Sequence, residues 1–525
     1  MTGKKLPLII YPLISGLLLW GAWPVSPFTF LIFFAFVPLL WLGPLIARRS
    51  RFFFLTAAGM ALWNALTTWW IWNASPEGAI AAVFVNTVLM SFPWLIYHIV
   101  LKRSGISAGT WAWLLAWMSF EYFHLQDWGL SWPWLTLGNA FAKHPSWVQW
   151  YEITGTGGGT LWILLVNILV FRLLAHPEKR KKLSLQTALT LLLPLVISLI
   201  LTPSSDKEYT GGPNSIVVVQ PNIDPYNEKF TGSQEMQIQR LIRASERAAD
   251  STTSLVIWPE TAIHTEAWEE TIRQNFFYYP LWDYMHRNPR IHIFSGINGF
   301  RKLDPREKDK LSARRIEGTD IYYEAFNSAA LMAADTSVQF YHKSRLVPGV
   351  EAVPGWASFL GPLLVELGGI SGTYGTQEER TVLNTGDGVY KIAPAICYES
   401  VYGEFLTEYI RNGANLIAII TNDGWWGNTA GYRQHMEYAR LRAIETRRWV
   451  ARSANTGISC FIDPYGKVYE AQPWDIESAI RMQVPPQTRL TFYVVYGDLL
   501  SKMAAILLPL FLLYLFLMFR KSKKA

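Results

Sequence analysis

Three polar residues stand where short apolar runs end, and together they make a chemically coherent set. Glu260 follows Val256-Ile257-Trp258-Pro259, Lys343 follows Gln339 to His342, and Cys397 follows Ile392 to Ile396. A thiol with an ordinary pKa of ~8.5 is only a few per cent thiolate at neutral pH. It therefore needs a base, and Glu260 is suited to take its proton. Lys343 would favour the charged form by proximity and would donate to the oxyanion of a tetrahedral intermediate. The helical spacing of 402–412 also puts Cys397 near a helix N-terminus, whose partial positive charge adds to the effect. The reaction class that fits is acyl transfer through a thioester. Singly, each residue has an ordinary reading: a first-turn carboxylate, a solvated lysine, a buried packing cysteine. The inference rests on the combination.

Such a set works only if separate elements deliver it to one place. Ser215 to Gln220 is a β-branched run that ends at Pro221-Asn222, and Leu255 to Trp258 is a second strand stopped by Pro259. Strand-like runs recur at Ile291 to Gly296, Ala329 to Ala333, Val338 to His342, Tyr390 to Ile396 and Leu416 to Thr421. Helical spacing marks 234–250, through Met236, Ile238, Leu241 and Ile242, and also 402–412. Alternating strands and helices predict an α/β sandwich, in which strand ends gather on one edge. The charged stretch Arg301 to Arg315 reads as a solvated loop. The chain has two cysteines, Cys397 and Cys460. A disulfide between them is a competing reading outside the cytoplasm, weakened because Cys460, in GISCFI, looks like an ordinary strand residue. No His/Cys cluster has zinc spacing, so neither metal nor cofactor is expected.

The 525 residues divide by composition. Residues 1–202 are apolar and Trp-rich, 203–497 read as a soluble domain, and 498–525 hold a last apolar run and a basic tail. Stretches near the ~20 residues that cross a bilayer lie at 7–23, 28–47, 52–72, 78–101, 109–128, 159–176, 184–202 and 498–519. The first lacks a cleavage site and reads as a retained anchor. Basic residues (Lys4, Lys5, Arg48, Arg49, Arg51, Lys102, Arg103, Lys179 to Lys182 and the tail from Arg520) sit on alternate connections. By the positive-inside rule these lie in the cytoplasm, leaving both termini inside and 203–497 outside. The net charge of +7 thus belongs to membrane flanks and does not mark a nucleic-acid partner.

At this point a resemblance becomes specific. Trp258-Pro259-Glu260-Thr261-Ala262, His342-Lys343 through Leu346-Val347-Pro348, and Cys397-Tyr398-Glu399 resemble the Glu-Lys-Cys triad of the nitrilase superfamily. The apolar spans around that domain make the whole chain similar to the bacterial apolipoprotein N-acyltransferase family. Further matching segments are Gln220-Pro221-Asn222-Ile223, Asn327-Ser328, Thr421 to Gly427, Gln434-His435, Arg442 to Glu445 and Asn455-Thr456-Gly457. The resemblance implies a multi-pass α-helical membrane domain of about eight transmembrane helices with an inserted extracytoplasmic nitrilase-like α-β-β-α sandwich. It implies an acyl chain taken from a membrane phospholipid by Cys397 and passed to the α-amino group of a diacylglyceryl-modified lipoprotein cysteine. The expected setting is the bacterial cytoplasmic (inner) membrane, with the catalytic domain on the periplasmic side, no cofactor and a monomeric chain.

By the same matching Glu351 is a further active-site carboxylate supporting the lysine, and Tyr398 and Glu399 orient the nucleophile. Phe230 stands near the family's mobile-loop tryptophan. The chain departs from the family's Phe-Gly-Glu in reading Gly349-Val350-Glu351. A lipid substrate is also suggested by the residues themselves. The stretch 355–370, with Trp356, is strongly apolar for an external loop; it either packs in the core or dips into the membrane interface as a lid, and the lid is the favoured reading. Asn422 to Gly431, with Trp425 and Trp426, reads as a second flexible arm whose indoles suit the headgroup zone. The rival readings are a membrane-tethered amidase with the same triad, a transporter with an accessory domain, and a lipoprotein-binding pseudoenzyme. The apolar loop and the spans speak against the first. The scarcity of ionisable groups in the spans speaks against the second, and the intact triad against the third.

Overall fold

A computed structural model describes residues 7–203, 211–229, 231–335, 337–352 and 373–522. Phe230, Trp356 and the apolar stretch 355–370 lie outside the described residues. The chain forms two compact units, one of residues 1–72, 76–202 and 496–525, the other of residues 73–75 and 203–495.

The first unit is helical: α1 (Ile10–Ala22), α2 (Val37–Leu45), α3 (Arg49–Thr68), α4 (Pro76–His124), α5 (Tyr151–Ala175), α6 (Arg180–Leu201) and, at its far end in sequence, Leu499–Ser522. Each apolar stretch read from the sequence falls on one of these. Among the described residues four helices are long and apolar enough to cross a membrane, those within 76–124, 151–175, 177–201 and 499–518. The fourth and fifth expected spans are two helices within 76–124 that part at Gly105, whose φ of 84° and ψ of 175° are not helical and suit a glycine. Glu121 lies in the last turns of the second of these helices. Its carboxylate accepts from Trp117 Nε1 (2.9 Å), the Leu137 N–H (2.8 Å) and Thr160 Oγ1 (2.6 Å), so the buried charge-bearing group is satisfied. Trp94, Trp113 and Trp117 pack around Phe36 at ring separations of 5.0–5.6 Å.

The second unit is a sandwich of two sheets. One has the order β14-β1-β2-β4-β6-β5, with β3 on β4 and β7 on β6. Its strands are β1 (Ser215–Gln220), β2 (Thr253–Ile257), β3 (Ile263–Trp268), β4 (His292–Lys302), β5 (Arg314–Arg315), β6 (Tyr322–Met332), β7 (Val338–His342) and β14 (Ser478–Gln483). The other runs β13-β12-β11-β10-β9-β8, from β8 (Leu383–Asn384), β9 (Lys391–Ile396), β10 (Leu416–Thr421), β11 (Trp449–Ala454), β12 (Cys460–Ile462) and β13 (Val468–Tyr469). Central strands are buried on both faces, which is why SIVVVQ and LIAIIT read as continuous apolar runs. Ser453 Oγ donates to the Val219 carbonyl at 2.7 Å, tying the sheets together.

Helices cover the outer faces. Helix α7 (Gln234–Ala248) packs Ile238, Leu241 and Ile242 with Leu281 and Met285 of α8 (Tyr279–Arg287) against the first sheet. Met236, part of the expected apolar spacing, is exposed. Helices α9 (Gly403–Arg411) and α10 (Ala430–Thr446) cover the second. The expected loop 301–315 is partly built into the sheet. Strand β4 extends to Lys302, and Arg314 and Arg315 pair with Tyr323 and Tyr322.

Candidate active site

Register brings the strand ends together. Within the first sheet Ser328 of β6 pairs with His342 of β7, and the Lys343 N–H extends this ladder to the Asn327 carbonyl at 2.9 Å. Beyond β2, the Trp258 N–H donates to Phe294 O (2.8 Å) and the Gly296 N–H to Pro259 O (3.1 Å), so Glu260 leaves the sheet beside Asn327. Within the second sheet β9, β10 and β11 are parallel, with Ile396 opposite Ile420 and Thr421 opposite Ala454. Cys397, Asn422 and Asn455 therefore emerge at one edge. The two edges meet where the Asn422 N–H donates to Glu260 Oε2 at 3.1 Å.

The backbone turns sharply at two of these exits. Thr261, directly after Glu260, has φ 46°, and Cys397 has φ 51°. Left-handed conformations in residues with a Cβ store strain and point to function. Glycine opposite Glu260 is required for space: a Cβ on Gly296 would lie 2.4 Å from the Thr261 nitrogen and 2.6 Å from Glu260 Cα. Gly349 has φ 79°, and the turn it makes folds Glu351 back onto Lys343, although this loop departs from the expected family pattern.

The charged groups form one buried array. Lys343 is 1% exposed; its ammonium donates to Glu351 Oε1 at 2.8 Å and Glu260 Oε1 at 3.2 Å. Asn327 Nδ2 bridges the same two carboxylates, at 2.8 Å to Glu260 and 3.1 Å to Glu351. The Val347 N–H holds Glu351 Oε2 at 2.8 Å. Burial alone would push Glu260 up, but Lys343, the Asn327 amide and Lys229 outweigh it and hold the carboxyl below its ordinary pKa. Burial likewise disfavours the Lys343 charge, yet Glu351 and Glu260 raise its pKa well above the ordinary value.

Cys397 opens a short 3-10 turn, Cys397–Val401, and α9 begins only at Gly403. Burial and then Glu260 push its thiol well up, against the pull of Lys343. The expected depression by Lys343 and a helix N-terminus is thus overridden, because desolvation penalises the thiolate more than one cation stabilises it. Cys397 and Cys460 are both free thiols. Cys460 sits buried on β12 opposite Arg452, so the competing disulfide is not formed.

Glu399 is fully buried and joins the nucleophile turn to the lysine strand. Its Oε2 accepts the Ile396 N–H (2.8 Å), and its Oε1 accepts the Ser344 N–H (2.7 Å), the Arg345 N–H (3.2 Å) and the Tyr341 hydroxyl (2.6 Å). Tyr398 is buried with its hydroxyl 3.0 Å from that of Tyr402. Trp425 and Trp426 lie in a 3-10 turn, Asp423–Trp426, that leads into α10; the Trp425 ring meets Tyr226 edge-on at 5.1 Å. The segment read as a second arm, 422–431, comprises this turn and the start of α10.

Sequence reasoning missed two groups. One is Lys229, 4% exposed, whose ammonium donates to the Glu260 carbonyl at 3.3 Å and to the Thr261 hydroxyl. The other lies behind the nucleophile. His435 contacts the Cys397 carbonyl through Nε2 (3.1 Å) and Asp423 Oδ1 through Nδ1 (2.9 Å), while Arg452 holds Asp423 Oδ2 at 2.6 Å. The Gln434-His435 and Asn422-Asp423 motifs were legible; their connection was not. No group of His, Cys, Asp and Glu among the described residues has the makings of a metal site.

Residues 216–490 match the carbon-nitrogen hydrolase family model, and residues 15–169 match the apolipoprotein N-acyltransferase N-terminal domain. An apolipoprotein N-acyltransferase of Chlorobaculum tepidum is 32% identical over 502 residues, 93% of this chain and 92% of that one. Another, of Geobacter metallireducens, is 27% identical over 506 residues, 93% of this chain and 91% of its own. Among solved structures, Saccharomyces cerevisiae Nit3, a member of branch 10 of the nitrilase superfamily, aligns at a TM-score of 0.36 with 16% identity, covering 52% of this chain and 90% of that one.

Proposed function

The chain belongs to the apolipoprotein N-acyltransferase family, and from that premise we propose that Cys397, Glu260 and Lys343 carry its acyl transfer, with a membrane phospholipid as donor and a diacylglyceryl-modified lipoprotein as acceptor. The observation that carries the assignment is the buried Glu260–Lys343–Glu351 array facing a thiol on a left-handed strand exit.

In the first half-reaction the Cys397 sulfur attacks the ester carbonyl while Glu260 takes the thiol proton. Because the thiol rests protonated and Glu260 ionised, proton transfer accompanies attack. The two carboxylate contacts use two of the three Lys343 N–H donors, leaving one for the oxyanion. As the carbonyl re-forms, the ester C–O bond breaks, and Glu260 returns its proton to the departing lysophospholipid oxygen. In the second half-reaction the α-amino group attacks the thioester, Glu260 removes the amine proton, the C–S bond breaks and the thiol is regained. Glu351 keeps Lys343 charged, and Glu399 holds the lysine and nucleophile turns in register. Phe230, Trp356, Trp425 and Trp426 belong, on this reading, to the loops that contact the lipid substrate.

Residues 203–497 form the catalytic domain, held on the periplasmic side of the inner membrane by the apolar helices of 1–202 and 498–525; a single chain carries every group the reaction uses. A transfer assay tests this reading. Purified protein, phospholipid and a diacylglyceryl-cysteinyl peptide should yield N-acylated peptide and lysophospholipid in equal amounts. Free fatty acid in place of acylated peptide would instead make the chain a hydrolase.

A further inference from the structure

We propose that Lys229 is a positioning residue for Glu260: a second buried ammonium that fixes the turn bearing the carboxylate and balances the charge of Glu260 and Glu351. The proposal rests on the reading of Glu260 as the base.

The backbone of Lys229 is anchored from two sides. Its N–H donates to the Asp224 carbonyl at 2.9 Å, and its carbonyl accepts from Gln237 Nε2 of α7 at 3.0 Å. From this anchored turn the side chain runs inward and grips the main-chain oxygen of Glu260 and the hydroxyl of Thr261. The left-handed φ of Thr261 makes the kink directly after Glu260. A cation bonded there opposes any relaxation of the kink that would swing the carboxylate away.

Charge gives the second part of the argument. Lys343 is the hydrogen-bonded cation of both Glu260 and Glu351. One ammonium against two carboxylates leaves a net negative charge in a buried site, and such a site resolves it by protonating a carboxyl. A protonated Glu260 accepts no proton from the thiol. With Lys229 the array holds two ammoniums and two carboxylates, and Glu260 stays ionised. The other titratable groups around this array are His264 on β3, Tyr374, the Cys397 thiol at the end of β9, Asp423 after β10 and the buried Glu399, whose carboxyl burial pushes up against the pull of its hydrogen bonds and Lys343. Asp423 is paired with Arg452 and His435, so no further cation from that side substitutes for Lys229. Burial lowers the Lys229 pKa to about 8 against the pull of Glu260 and Cys397, so it carries its charge at neutral pH.

The test is the pH profile of Cys397 reactivity in full-length, detergent-purified protein. Two readouts are followed by intact mass: alkylation by iodoacetamide, and single-turnover acylation by phosphatidylethanolamine in mixed micelles. Lys229→Met removes the cation, so the Glu260 and Cys397 pKa values both rise. Both profiles should move toward higher pH by about one unit or more, and Lys229→Arg should bring them back. Should Lys229→Met fail to fold, Lys229→Gln retains a donor and removes the charge, with the same shift expected. A folded neutral variant whose profiles keep their midpoints, even at reduced amplitude, overturns the proposal. Glu260→Gln separates this from the underlying reading. If it acylates like wild type, the base assignment fails; if it is inert while the Lys229 variants show no shift, only the inference about Lys229 fails.

Discussion

Glu260, Lys343 and Lys229 crowd around Cys397, and their balance decides which protonation state waits for substrate. Burial and Glu260 keep the thiol protonated, while Lys343, Asn327 and Lys229 keep Glu260 ionised. The sign of the pH dependence follows. Glu260 is competent above its folded pKa, which is depressed, and loses competence only as pH falls through that value. The thiol is raised, so bulk pH does not generate thiolate within the neutral range. Single-turnover acylation should therefore stay flat from about pH 5 to 8, measured as adduct formed per unit time. A steep rise centred near pH 8.5 would mean instead that a free thiolate carries the reaction. At this scale the triad was legible because each member follows an apolar run. Lys229 was not, since a lysine in a polar turn looks solvated until the chain folds it beneath Glu260.

At the scale of elements, the site is made by where strands stop. β2, β7 and β9 each deliver one group, and Glu399 and the Asn422 N–H lock the two sheets' ends to each other. Gly296 on β4 is the clearest lever, because the Glu260 backbone lies against its Cα. Gly296→Ala should displace Glu260 and lower acylation by about 10²-fold, the cost of an ångström-scale misplacement, while the variant keeps a cooperative melt. Unchanged acylation in that variant would show that the close approach is not needed. Strands β1, β2, β4, β6, β7, β9 and β10 read as strand-like runs, and β12 as a strand around Cys460. Strand β3, the buried β11, the short strands β5 and β13, and helix α10 did not. HTEA within β3 is half exposed and polar, and α10 buries Arg442, Glu445 and His435, which erases the apolar periodicity that betrays a helix. The network of Asp423, His435 and Arg452 follows from pairing across elements and has no signal within any one of them.

Across the whole molecule, hydropathy located the apolar helices of the first unit, and the gap between the spans read at 78–101 and 109–128 falls on Gly105, where the backbone leaves the helical region. The proposed placement of 203–497 outside the cytoplasm follows from the positive-inside rule applied to the basic flanks, and cysteine labelling tests it. Lys308→Cys, exposed on the catalytic unit, should react with a membrane-impermeant maleimide in intact spheroplasts. Lys181→Cys, exposed at the start of α6, should react only after permeabilisation. The opposite pattern would invert the topology.

The measurement that bears most directly on Cys397 is intact and peptide mass analysis of the protein after incubation with phospholipid alone. One acyl chain should be found, mapped to the peptide bearing Cys397, released by neutral hydroxylamine as a thioester is, and absent from Cys397→Ala. Acyl transfer retained by Cys397→Ala, or an adduct mapped to any other residue, would contradict the account.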